Sequence, residues 1–70
     1  MTLAFAPFGR EMIIKQINAD DKTKRHLENL GMAVGGSVTS MFDSDGNVVL
    51  KIKDCRVALN RALAMKIVVA

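Results

Sequence analysis

The sequence has no tryptophan, no tyrosine and only three phenylalanines, Phe5, Phe8 and Phe42. Flat rings on which successive bases stack are therefore scarce, as are the walls of an aromatic groove for proline-rich peptides. A single cysteine, Cys55, excludes an internal disulfide and a cysteine-built zinc cage, and suits a reducing cytosol. There is one histidine, His26, and no glycine-rich loop running from strand to helix. That leaves no nucleophile with its base and no phosphate cradle of the Walker type, so an enzyme is not expected. No apolar run approaches the roughly 20 residues that cross a bilayer. The opening Met1-Thr2-Leu3-Ala4-Phe5-Ala6-Pro7 lacks the charged region and apolar core of a secretory leader. The expectation is a cytoplasmic protein.

What the chain does have is apolar substance and punctuation. Half of its 70 residues are hydrophobic, too many for a disordered segment. The length suits one domain, 1–70, near the lower limit at which a core holds itself together, since so short a chain buries only about 60% of its unfolded surface. The net charge of +3 is spread over alternating acids and bases, a pattern that describes a solvated surface before it describes a partner.

The stretch Leu27-Glu28-Asn29-Leu30-Gly31-Met32-Ala33-Val34-Gly35-Gly36-Ser37-Val38 organises the rest. Leu27 and Leu30, three apart, share a helical face. Gly31 falls where a helix needs a left-handed residue past its last turn. Leu27 and Met32 then become the pair that touches across such an ending, and Gly35-Gly36 turns the chain into a strand.

The other segments follow from periodicity and turn chemistry. Arg10 to Asn18 reads as a first strand, with Met12 and Ile14 on one face and Ile13 and Ile17 on the other. Asp20 or Asp21 caps the helix that runs to Leu30. Val38, Ser40 and Phe42 share one face of a second strand. Asp43-Ser44-Asp45-Gly46-Asn47 is a turn, and Val48, Leu50 and Ile52 alternate against Val49, Lys51 and Lys53 in a strand with one wet face. Lys53-Asp54-Cys55 turns into a short strand from Arg56 to Leu59. Asn60 caps one helical turn, Arg61 to Ala64, and Ile67 and Val69 point inward from a closing strand. Five short strands cannot make two packed sheets, whereas curling into a barrel removes exposed edges. The expected fold is mainly β: a five-stranded SH3-like barrel, one helix between strands 1 and 2, and a helical turn before the last strand.

With those residues in place, the sequence resembles the FeoA family of small proteins of bacterial ferrous-iron uptake. Leu27-x-x-Leu30-Gly31-Met32-x-x-Gly35-x-x-Val38 is similar to the family's central signature. Gly9 with Ile14 and Ile17, and Ala58-Leu59 with Ala64, Ile67 and Val69, are similar to its opening and closing segments. Val34 stands where the family often has proline, and Cys55 where it commonly has a small residue. The resemblance implies an SH3-like barrel that docks on FeoB, a transporter with a cytosolic GTP-binding domain, meeting the membrane only through that partner. Transition-metal binding is implied as a family-level property, with no ligand assigned in this chain and no cofactor.

Sharper readings of single motifs weigh less than bland ones. Asp43-x-Asp45-Gly46-Asn47 suggests a calcium loop, but the EF-hand places glycine sixth and glutamate twelfth between two helices; a turn is the better account. His26 and Cys55 are too few for a metal site, which needs three or four ligands. Met12, Met32, Met41 and Met65 sit at apolar positions as core filler, with Met32 the partial exception, because its tight loop also offers an apolar edge to a partner. The residues expected to meet a partner are Met32, Ala33 and Val34 on the loop, and Lys51, Lys53 and Arg56 on the wet face. Two other readings stand beside that one. The first is a detached regulatory module like the SH3-like C-terminal domain of iron-dependent repressors. The second is a weak nucleic-acid binder using the basic stripe, although nucleic acid is the less expected partner.

Overall fold

The computed structural model describes residues 1–70 as β1 (Glu11–Ile17), α1 (Asp21–Asn29), β2 (Ser37–Ser44), β3 (Asn47–Ile52), β4 (Cys55–Asn60), α2 (Arg61–Ala64) and β5 (Ile67–Val69), after a 3-10 turn at Leu3–Phe5. All strand pairs are antiparallel, in the spatial order β4-β3-β2-β1-β5. This is the mainly β, five-stranded arrangement that the alternation predicts. α2 packs on β3, β4 and the N-terminal turn, and that turn packs on β5. The two ends of the sheet are thus joined around one core of sixteen buried hydrophobic residues.

Local chemistry sets the element ends. Asp20 Oδ1 accepts from the Thr23 amide at 2.9 Å and caps α1. At the other end the Met32 amide reaches back to the Leu27 carbonyl and the Gly31 amide to that of Glu28, each at 2.9 Å. With Gly31 at φ 95°, that bond pair is the Schellman ending the sequence predicts. Asp45 and Gly46 take φ values of 51° and 77°, the two positive angles of a type I′ turn, which matches the twist of the strands it joins. Asn60 Oδ1 caps α2 by accepting from the Leu63 amide at 2.8 Å.

Two bulges overturn the simple alternation. The β1–β5 register shifts between Ile14 and Gln16, so Ile17 joins Met12 and Ile14 in the core and does not pair with Ile13 on the opposite face. The β2–β3 register shifts between Ser40 and Phe42, which places Phe42 opposite Val49 and leaves it 45% exposed while Val38 and Ser40 stay buried. An extra residue reverses the side-chain parity beyond it. Leu30, expected on the buried side of the helix, is the half-exposed C-cap, and Leu27 alone anchors α1 in the core. The N-terminal segment, read as a lead-in, buries Leu3, Ala4 and Ala6.

Candidate functional site

The predicted partner residues separate into three environments. Met32 is 0% exposed, which corrects its assignment to a docking edge. The Schellman bond from its amide turns the chain inward there, and the side chain packs into the core with Leu27. Ala33 and Val34, one and two residues on, are exposed, Val34 at 62%. They form one end of a groove of about 860 Å³ whose other walls are the C-terminal half of β1, with the residues that follow it, and the polar side of α1.

The groove has a definite charge. Lys15 enters from β1, Lys24 from α1 and Lys66 from the segment before β5, against Asp20 and Glu28. Neither acid is ion-paired, since the one salt bridge of the chain is Arg61–Asp43 at 3.3 Å, elsewhere on the surface. Asp20 is occupied as the α1 cap. Hydrogen bonding from Thr23, its side chain and then its amide, outweighs a small desolvation effect and, with the positive charge of Lys66, holds the Asp20 carboxyl below its ordinary value of 3.8. Three lysines against two carboxylates, Asp20 and Glu28, leave the lining net basic by one charge.

Lys51, Lys53 and Arg56 are exposed as predicted, on a different face. Glu11, Thr39, Lys51 and Arg56 are successive partners across β1, β2, β3 and β4, which puts the two cations side by side. Lys53 sits in the β3–β4 turn at φ 55°. With Glu11 and Thr39, Lys51 and Lys53 line a shallow depression of about 180 Å³ that shares no residue with the groove. The loop and the stripe are therefore two surfaces.

Sequence reasoning missed the groove lysines, because positions 15, 24 and 66 are brought together only by the fold. It also missed that all three phenylalanines lie outside: Phe5 is 65% and Phe8 56% exposed, and the Arg61 guanidinium stands over the Phe5 ring at 5.3 Å. The signal for Phe5 was its place in an apolar run with three smaller residues that take the core. His26 and Cys55 are both exposed, and nowhere do three or more His, Cys, Asp or Glu side chains gather in a group suited to a metal ion.

Comparison with known proteins adds an independent line. The FeoA domain family model matches residues 1–70. A Methanocaldococcus jannaschii protein, named as a candidate Fe(2+) transport protein A, is 36% identical over 67 residues, covering 96% of this chain and 82% of its own. Among solved structures, FeoA from Chlorobium tepidum superimposes with a TM-score of 0.89 at 18% identity, over 99% of this chain and 68% of that one. FeoA from Stenotrophomonas maltophilia, a prokaryotic SH3 domain protein solved with zinc, gives 0.83 at 24% identity, over 100% and 89%.

Proposed function

The chain belongs to the FeoA family, and on that premise we propose that it is a cytoplasmic accessory protein of ferrous-iron transport that docks on a FeoB-like transporter at its GTP-binding domain. The observation that carries the reading is the groove wall at Ala33 and Val34. A valine 62% exposed on a tight loop, beside lysines with no ion-pair partner, is apolar surface in the company of charge. That combination suits a protein interface, where a small apolar centre is ringed by polar groups. The stripe of Lys51, Lys53 and Arg56 is the second contact. The role is binding and not catalysis: by preferring one conformation of the transporter, the docked chain shifts its population towards that conformation.

The test is titration calorimetry of the protein against the GTP-binding domain of the same organism's transporter, with GDP and with a non-hydrolysable GTP analogue. Saturable binding that differs between nucleotides is expected. Equal binding would reduce the role to a scaffold, since equal affinity moves no equilibrium. Absence of binding to both the domain and the whole transporter overturns the reading. Lys51→Glu with Lys53→Glu is expected to weaken binding and flatten its salt dependence. Unchanged binding removes the stripe from the interface.

A further inference from the structure

β1 is flanked on one side by β5 along its C-terminal half, but on the other side β2 pairs only with Glu11, Met12 and Ile13. The Gly35–Gly36 turn then takes over: the Ile14 amide donates to the Gly36 carbonyl at 2.9 Å, and the Gly35 amide donates to the Ile14 carbonyl at 2.8 Å. Past Ile14 no strand lies on that side. Asn18 donates to the Lys66 carbonyl at 2.7 Å, on the β5 side. Backbone groups of adjacent residues in an antiparallel strand point to opposite sides, so the N–H and C=O of Ile17 point away from β5. Ile17 lines the groove, although its side chain belongs to the core. No turn, loop or side-chain group of the chain bonds that N–H or C=O.

Ile17 is only 5% exposed, but an unpaired donor and acceptor on a strand edge beside a groove is a template for one more strand. We infer that the groove receives an extended peptide segment of a partner protein, which pairs with the Ile17 backbone and carries acidic side chains about an apolar one. Pairing on an exposed edge takes its affinity from main-chain bonds and its selectivity from alternate side chains. The apolar side chain lies on Val34 and Ala33. The acidic ones meet Lys15, Lys24 and Lys66, whose charge the groove's own Asp20 and Glu28 do not cancel. A basic segment is rejected by the same three lysines. The inference deepens the docking reading, and its test uses no transporter, so failure of one is distinguishable from failure of the other.

The test selects short random displayed peptides on the intact protein, then titrates the enriched sequences into the isotope-labelled protein by NMR. The expected result is a consensus of Asp or Glu around an apolar residue. The largest shifts should fall on Lys15 to Ala19 and on Val34, with a downfield shift and slowed exchange at the Ile17 amide. N-methylation of the peptide residue opposite Ile17 should weaken binding roughly tenfold, the loss of about one backbone hydrogen bond. Val34→Glu, at an exposed position that leaves the core untouched, should weaken it by a similar factor. Failure to enrich any peptide, a consensus without acids, an unmoved Ile17 amide, or a footprint on the Phe5 or Lys51 face overturns the inference.

Discussion

Met32 shows how one residue can have the right partner and the wrong exposure. The glycine stop predicts its contact with Leu27, and that same contact removes it from the surface. Met32→Ala is therefore expected to lose roughly 2–5 kcal/mol of stability, as a truncated core side chain does, whereas Met32→Leu should be nearly silent. Urea unfolding of the two variants checks this; a stable Met32→Ala with impaired binding would return the residue to the interface. Gly31 makes the turn possible. At φ 95°, with the Ile52 Cγ2 only 3.3 Å from where a Cβ would stand, Gly31→Ala should cost about 1–2 kcal/mol in the left-handed conformation alone. Ser40 runs the other way. Its hydroxyl is buried in the core with no hydrogen-bond partner, although its carbonyl accepts from the Gly9 amide at 2.8 Å. Removing a buried hydroxyl that bonds nothing relieves its desolvation, so Ser40→Ala should unfold at an equal or higher urea concentration.

Elements whose boundaries are set by adjacent residues were legible. Asp20, Asn60, Gly31 and the Asp45-Gly46 pair each act within a few positions, and the structure puts a cap, a stop or a turn at each. The faces of Ile17 and Phe42 were not legible, because a bulge depends on what the neighbouring strand offers at that point. The groove was the least legible, since its charge comes from three lysines that only the finished barrel assembles. α1 gives a test by pH. A carboxyl with a depressed pKa in the fold adds stability that is complete above its unfolded value of 3.8 and is lost as pH falls through the lower folded value. Asp20→Asn keeps an oxygen to cap the helix but cannot titrate. Its urea midpoint should therefore fall less steeply than that of the parent as the solution is acidified below about pH 4. Parallel curves would mean that the Asp20 charge adds nothing to the cap.

At the scale of the molecule, the N-terminal segment is part of the barrel. Thr2 bridges Val68, the Val69 amide donates to the Met1 carbonyl at 2.8 Å, and Leu3 lies in the core at 0% exposure. This segment covers the outer edge of β5, the strand at one end of the sheet, and meets α2, which reaches back to β3 and β4. It joins the ends of an open sheet without extending the ladder much, and Leu3 is the largest of the three side chains it buries, beside Ala4 and Ala6. A 70-residue domain has about 3.5–10 kcal/mol of stability at roughly 0.05–0.15 kcal/mol per residue. Leu3→Ala should remove roughly 2–5 kcal/mol of that, as much as a truncation at Ile14 or Leu50 in the middle of the sheet. Hydrogen exchange locates the effect. If the segment closes the barrel, the variant exchanges faster at β5 and α2 and also across β1 to β4, because one cooperative unit has lost stability. If it is an appendage, only the amides of residues 1–6 and β5 exchange faster, and the midpoint of unfolding stays where it was.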